Sequence, residues 1–410
     1  MIYKTIQLKR GKEESLRRFH PWVFSGAIYH ADDGIEEGDV VRVVTADGQF
    51  VAVGHFQRGS ITVRVLSFND VDIDDCFWQS RLASALQMRA AMGIADRADN
   101  NTYRLVHGEG DLLPGLIIDV YGKTAVMQAH SLGMHLSRHD IARQLVAVMG
   151  ERIENVYYKS ESTISFAEPE NGFIVGGSND NIGLENGLKF YVDWLKGQKT
   201  GFFVDQRDNR ALVERYAANR QVLNMFCYTG GFSVYALRGG AKLVHSVDSS
   251  AKAIELTNRN VALNFPEETR HEAFCEDAFR FLEKAPLSSP GGDTIDPTTA
   301  KTIAGGAYDL IVLDPPAFAK HRGALHNALK GYTRLNQKAF EKIATGGILF
   351  TFSCSQVVTK DHFRNAVFTA AALARRKVRI LHQLHQPADH PINIYHPEGE
   401  YLKGLVLYVE

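Results

Sequence analysis

The sequence predicts an α/β protein: a doubly wound, mostly parallel sheet preceded by a small β-barrel and an α+β middle region. Three observations carry that reading. From about residue 199 onward, strand-length apolar runs alternate with helical periodicity, whereas the first 70 residues hold only short strands separated by turn signals. The stretch between them mixes the two patterns. Alternation of strand and helix favours parallel strands, because each crossover lays a helix over the sheet face. The 410 residues divide accordingly into a barrel at 1–70, a linker helix at 71–97, a middle domain at 98–190 and a sheet domain at 191–410.

In the first segment, the run 39–44 leads through Ala46-Asp47-Gly48 into 49–54. Asp-Gly is a strong hairpin turn, since both residues tolerate positive φ. Another strand, 61–66, follows Arg58-Gly59-Ser60. Several short strands in so little chain point to a small barrel. Asp74 or Asp75 is placed to cap a helix that runs to about Met92 and stops at Gly93. The middle segment carries strands at 115–120 and 124–128 and one helix at 136–149, with no spacing that speaks of chemistry. Beyond 199, strands are expected at 222–226, 243–248, 273–275, 309–313 and 347–352, with helices including 250–264 and 332–343. The stretch 286–307, rich in Ser, Gly, Pro and Thr, reads as a surface loop.

Composition narrows the class. Hydrophobic residues at 45% and charged residues at 23% are ordinary for a soluble globular chain. A net charge of −1 means that any basic surface must be local. Cys76, Cys227, Cys275 and Cys354 show no CxxC or Cys/His spacing, which argues against a zinc site or a disulfide framework, so no metal is expected. The amino terminus lacks a signal-peptide core, and no apolar run approaches the ~20 residues of a membrane span. A cytoplasmic location and no membrane partner are the expectation.

Two constellations carry chemistry. After the strand 222–226 comes Cys227-Tyr228-Thr229-Gly230-Gly231-Phe232, then a helix. Glycines there let a ligand approach the backbone, and the helix start offers free N–H groups. Asp248 ends the next strand, where a carboxylate can accept both hydroxyls of a ribose. Asp277 follows the third strand and could accept from an adenine amino group. In order and on successive strands, these residues indicate an adenosyl cofactor rather than a dinucleotide, because the G-x-G-x-x-G pattern is missing.

The second constellation is Asp314-Pro315-Pro316-Ala317-Phe318 at the end of one strand and Ser353-Cys354-Ser355 at the end of the next. Adjacent strand ends would present a carboxylate and a thiol to one crevice. That pair suits methylation at carbon 5 of cytosine, which needs a thiolate to activate the ring. The alternative for Cys354 is a small buried strand residue.

These runs resemble bacterial 23S ribosomal RNA cytosine-5 methyltransferases of the RlmI-like type. The resemblance extends to Lys199-Thr200-Gly201-Phe202-Phe203-Val204-Asp205-Gln206-Arg207-Asp208 and to Asp389-His390-Pro391 with the run from Tyr395 to Gly404. It covers essentially the whole chain. It implies a PUA domain opened by His20-Pro21-Trp22-Val23-Phe24-Ser25-Gly26, a middle domain, and a class I methyltransferase domain using S-adenosylmethionine on 23S ribosomal RNA. A homodimer is left open. Phe203, Asp205, Gln206, Arg207, Tyr228, Thr229, Gly230, Gly231, Phe232, Asp248, Asp277 and Asp314 are the expected cofactor residues. Cys354 and Asp314 are the expected catalytic pair, with Pro315, Pro316, Phe318 and Lys320 around the substrate base. Phe318 is expected to stack on an extruded base, and Lys320 is the candidate cation beside the thiol.

Lys199, Arg207 and Arg210 are expected phosphate contacts, as are Lys9, Arg10, Lys12, Arg17 and Arg18. His390, His396 and Glu398 read as solvated loop residues, with a role at the pocket rim as the alternative. Ala317 departs from the second cysteine that many RNA cytosine-5 methyltransferases carry after this proline. Rival readings are an amino-methylating enzyme acting on guanine N2 or adenine N6, and an inert RNA-binding assembly factor.

Overall fold

The computed structural model describes residues 2–161, 163–164, 170–178, 180–284 and 308–410. The Ser/Gly/Pro-rich stretch expected as a loop at 286–307 lies outside the described residues. The chain forms two units. The first comprises Met1–Gly187, Val192–Val204 and Ala388–Gly399, and the second Leu188–Tyr191, Asp205–Pro387 and Glu400–Glu410. The sequence reading ran one domain unbroken from 191 to the end; instead, 192–204 and 388–399 pack with the first unit.

The first unit begins with β1 (Lys4–Leu8), α1 (Glu14–Arg17), β2 (Trp22–Phe24), β3 (Ile28–Ala31), β4 (Val40–Val44), β5 (Phe50–Phe56) and β6 (Ile61–Ser67). They make a six-stranded sheet in the order β2-β6-β5-β4-β1-β3. Strand β4 shows why the sequence folds this way: Val41 and Val43 are fully buried while their neighbours point outward, the period-two pattern of a half-buried strand. The expected Asp-Gly turn joins β4 to β5, with Gly48 at φ +83° and its N–H donating to the Thr45 carbonyl at 3.1 Å.

Next comes α2 (Asp75–Ala91), capped by the Asp74 carboxylate, which accepts from the Phe77 N–H at 3.0 Å. A second, five-stranded sheet has the order β11-β10-β9-β8-β7. Its strands are β7 (Thr102–His107), β8 (Leu116–Tyr121), β9 (Thr124–Ala129), β10 (Asn155–Lys159) and β11 (Asn171–Val175), with α3 (Leu132–Leu136) and α4 (Arg138–Met149) inserted before β10. A short strand, β12 (Ile182–Glu185), follows. Helix α2 is more than the expected linker. Phe77, Trp78, Leu82 and Ala85 fall on one helical face and share a core with Leu105, Ile118, Met127 and Leu145, and also with Val53 and Leu66 of the first sheet.

The second unit contains β13 (Leu188–Tyr191), α5 (Arg207–Ala217), β14 (Gln221–Met225), α6 (Gly231–Arg238), β15 (Leu243–Asp248), α7 (Ala251–Asn264), β16 (His271–Cys275) and α8 (Ala278–Lys284). Then follow β17 (Tyr308–Leu313), α9 (Leu325–Lys342), β18 (Ile343–Ser353), α10 (Lys360–Leu373), β19 (Val378–His385) and β20 (Lys403–Val409). The seven-stranded sheet has the order β16-β15-β14-β17-β18-β20-β19. It is parallel from β16 to β18, whereas β20 runs antiparallel to both its neighbours. Strand β19 has no counterpart in the sequence reading. It is an edge strand, and its exposed Arg, Leu and His side chains leave no clean apolar pattern.

Leu223, Met225, Ile311, Leu313 and Leu349 meet Tyr332, Leu335 and Phe340 of α9 and Phe363 and Val367 of α10 in one core. Each fully buried aliphatic or phenylalanine side chain there stabilises by ~1.5–3 kcal/mol. The chain moves outward one way from β14 through β15 to β16, then the other way from β17 to β18. That reversal opens a crevice past the carboxyl ends of β14 and β17. No described helix is long and apolar enough to cross a membrane.

Candidate active site

The turn leaving β14 is held in a sparsely populated backbone shape. Phe226, Tyr228 and Gly230 have φ of +59°, +47° and +74°. Two non-glycine residues with positive φ in three positions store strain of about 1–3 kcal/mol each, which the surroundings must over-determine. They do. The Cys227 N–H donates to the Val247 carbonyl at 3.0 Å, and the Tyr228 N–H donates to Asp248 Oδ2 at 3.1 Å. From α7, Thr257 Oγ1 donates to the Tyr228 carbonyl at 3.0 Å and Asn260 Nδ2 to the Thr229 carbonyl at 2.8 Å.

Glycine is required at 230 on two counts: the positive φ, and a Cβ that would lie 2.7 Å from Thr257 Cγ2. At Gly231 a Cβ would lie 2.9 Å from Arg210 Cδ. The result is a bare turn that delivers the start of α6 to the crevice, the arrangement an adenosyl cofactor needs.

Asp248 ends β15 half-buried. Its two oxygens accept from the N–H groups of Tyr228 and Ser250, at 3.1 and 2.9 Å. A carboxylate has about four acceptor positions, so capacity for ribose hydroxyls remains. Asp277 is exposed and caps α8, accepting from the Arg280 N–H at 3.1 Å. The residues present therefore fit S-adenosylmethionine, which the 228–232 turn and Asp248 would hold.

At the amino end of the second unit, Asp205 is buried and its Oδ2 accepts from the Tyr401 hydroxyl at 2.6 Å. Gln206 is buried, accepting from Asn209 Nδ2 at 2.6 Å. Arg207 and Arg210, expected to face phosphates, are only 4% and 2% exposed at the start of α5, so they form no part of a solvent-facing basic surface. Phe203 belongs to the first unit, where the Lys199 ammonium lies 4.5 Å from its ring centre. The five basic residues at 9, 10, 12, 17 and 18 are all exposed.

Strands β17 and β18 are adjacent, with Leu313 opposite Thr351, so Asp314 and Cys354 leave neighbouring strand ends. The half-buried Cys354 Sγ lies 4.0 Å from the carbonyl of Pro315. Hydrogen bonds fix both flanks of the cysteine. Ser353 Oγ donates to the Tyr332 hydroxyl at 2.9 Å, and Ser355 Oγ accepts from the Ala319 N–H at 3.3 Å. Pro315 is buried and Pro316 exposed. Phe318 packs on Tyr332 with ring centres 4.6 Å apart, so α9 already covers part of that ring.

Lys320, the expected cation beside the thiol, is exposed beyond the turn. A different lysine reaches the cysteine loop. Lys403 Nζ donates to the carbonyls of Ser355 and Val358, both at 2.7 Å, and is 5% exposed. Burial lowers its pKa to about 8. Sequence reading passed over it because it opens an apolar strand; the signal was a cation directly before the run 404–409.

Two of the three residues expected to be solvated, His390 and His396, are instead buried in the first unit, whereas Glu398 is exposed as expected. Asp389 and His390 are 0% and 1% exposed. Arg104 N–H donates to Asp389 Oδ2 at 3.1 Å and Arg89 Nη2 to the Asp389 carbonyl at 2.7 Å. His396 is also buried, its ring centre 4.2 Å from that of Trp22. The buried Arg89 guanidinium needs acceptors, and the Asp389 carbonyl supplies one; polar composition alone hid that.

Comparison with known proteins agrees with this architecture. Residues 6–68 match the PUA-like domain family, and residues 178–393 match the S-adenosylmethionine-dependent methyltransferase family. Ribosomal RNA large subunit methyltransferase I of Tolumonas auensis is 40% identical over 411 residues, covering 98% of both chains. The protein of the same name from Klebsiella pneumoniae strain 342 is 35% identical over 415 residues, covering 100% of this chain and 99% of its own. Among solved structures, a chain described as a SAM-dependent methyltransferase from Streptococcus mutans superposes with a TM-score of 0.81 at 21% identity, covering 100% of each. A methyltransferase solved in complex with SAH matches equally well, at TM-score 0.81 and 21% identity over 100% of both chains. The chain belongs to the S-adenosylmethionine-dependent methyltransferase family, with a PUA-like amino-terminal domain, in the group named Ribosomal RNA large subunit methyltransferase I.

Proposed function

We propose that this protein methylates carbon 5 of a cytosine in 23S ribosomal RNA through a covalent bond between Cys354 and carbon 6. The observation that carries the reading is the approach of the Cys354 sulfur to the Asp314-Pro315-Pro316 turn, 4.0 Å from the Pro315 carbonyl, at adjacent strand ends. The full-length relatives named as ribosomal RNA methyltransferases support the choice of RNA.

Carbon 5 of cytosine is a weak nucleophile. The Cys354 thiolate adds to carbon 6, and the ring becomes an enamine whose electron pair is available at carbon 5. Asp314 faces the N3–N4 edge and favours protonation at N3 as the ring accepts the sulfur. Bound S-adenosylmethionine supplies the electrophilic methyl. Loss of the carbon-5 proton then returns an electron pair to the ring, the carbon–sulfur bond breaks, and the thiolate is restored. Nucleophilic catalysis of this kind replaces one hard step by several easier ones. Pro315 and Pro316 stiffen the turn that presents Asp314.

The experiment is nucleoside mass spectrometry of 23S ribosomal RNA from cells with and without the protein. The expected difference is 5-methylcytosine. Loss of N2-methylguanine or N6-methyladenine instead would overturn the reading in favour of amino methylation, and no difference would favour an assembly factor.

A further inference from the structure

The thiol that this reaction uses must ionise near neutral pH, and an isolated cysteine thiol has a pKa of about 8.5. Lys403 stands where it can supply the missing charge. It opens β20, paired antiparallel with β18, and its register partner is Ser353, the residue before Cys354. Its ammonium donates to the carbonyls of Ser355 and Val358, both at 2.7 Å, which tie it to the segment just after the cysteine. An ammonium has three donors, so these two carbonyls leave one N–H for another acceptor. At 5% exposure, water screens it little.

Other charged and titratable groups flank the pair. Asp314 leaves the neighbouring strand and opposes ionisation of the thiol. Tyr332, from α9, stays neutral, because burial raises its pKa. Lys360 and Glu400 form an ion pair with each other that is more exposed than Lys403. Cys354 and Lys403 interact as opposite charges, which partly offsets the effect of burial on the lysine.

We infer that Lys403 is the positioning residue that holds Cys354 as a thiolate, through its fixed ammonium at the carboxyl end of β18. The inference rests on the reading of Cys354 as the nucleophile. A purely structural lysine would clamp the 355–358 turn and leave the thiol's ionisation unchanged, so the readout must be the thiol itself.

The test is alkylation of the full-length protein by iodoacetamide from pH 5.5 to 10, with the Cys354 peptide quantified by mass spectrometry. Cys76 and Cys275, both exposed, report the reagent in the same samples. The expected midpoint for wild-type Cys354 is below about 7.5, the upper end of the range for a thiol beside a cation. In Lys403→Met it should rise by about one pH unit or more, and Lys403→Arg should restore it while Cys76 and Cys275 do not move.

Equal midpoints in wild type and Lys403→Met would overturn the inference, as would an equally raised midpoint in Lys403→Arg, which assigns the shift to packing. If Lys403→Met does not fold, the wild type decides: a Cys354 midpoint at the ordinary thiol value overturns the proposal. Alkylation needs no RNA. A low, Lys403-dependent midpoint without 5-methylcytosine in the product would therefore support this inference while sinking the proposed reaction.

Discussion

In the proposed reaction the sulfur of Cys354 and the carboxylate of Asp248 have separable roles, and substitution should separate them. Cys354→Ala is expected to abolish methyl transfer while S-adenosylmethionine binding stays within a few-fold, since the cysteine lies at the end of β18 and the cofactor turn follows β14. Tritiated cofactor and calorimetry check the two halves, and full activity in the variant would rule out the covalent route. RNA with 5-fluorocytosine at the target should trap the wild-type protein as a denaturation-resistant adduct, because fluorine cannot leave as a proton does. Asp248→Asn is expected to weaken cofactor binding by about 1.5–3 kcal/mol, the worth of a hydrogen bond to a charged group. The asparagine keeps an oxygen for the Tyr228 N–H and gives up the bond to the Ser250 N–H, so the turn after β14 keeps its tie, and unchanged binding by calorimetry would move the ribose elsewhere.

Among the elements, the turn into α6 is the most over-determined. Gly230→Ala forces an L side chain to φ +74° and puts its Cβ against Thr257. A left-handed conformation costs about 1–2 kcal/mol in any non-glycine residue, and the clash adds to it. The expected outcome is a matching drop in urea-unfolding free energy, with a larger loss of cofactor affinity because the displaced backbone is the proposed binding surface. Unchanged cofactor affinity in a destabilised Gly230→Ala would show that the turn is structural only.

For the whole molecule, buried histidines set the acid limit. Burial lowers His55 to about 4 from 6.5, and His245 to about 4, with His271 adding to the effect there. Their folded-state pKa lies below the unfolded value, so between pH 6.5 and about 4 the unfolded chain binds more protons. Stability is therefore expected to fall as pH drops through that window, by roughly 3 kcal/mol at most for the fully buried His55. Urea melts at pH 7 and pH 5 check this; an unchanged slope in His55→Gln would exclude that residue as a source. RNA binding belongs to this scale too. The first sheet shares its core with α2 through Val53 and Leu66, so cutting the chain near residue 70 would expose apolar surface. Charge substitution is the cleaner test. Replacing Lys9, Arg10, Lys12, Arg17 and Arg18 with Ala should flatten the salt dependence of RNA binding by about 0.7–0.9 in log–log slope per lost phosphate contact. An equal slope would place the grip elsewhere.

What the sequence determined by itself was whatever local periodicity and strand-end chemistry encode. The alternation beyond 199 prescribed a doubly wound sheet, Asp47-Gly48 prescribed its hairpin, the Asp74-Asp75 pair a helix start, and the 227–232 and 314–318 runs fell at strand ends because apolar runs must stop where the chain turns out of the sheet. Tertiary structure decided what depends on residues far apart in the chain. Edge strand β19 is hidden because one exposed strand needs no apolar alternation. Helix α2 read as a linker because its ends, not its packed face, were the visible signal. His390 and His396 looked solvated because burial within a polar loop depends on partners far away in the chain, such as Trp22 for His396. Lys403 stands at the cysteine only because β20 pairs antiparallel with β18, a register set by hydrogen bonds between segments some fifty residues apart. Local sequence specifies each element's shape, but which side chains then meet depends on how the sheet is ordered.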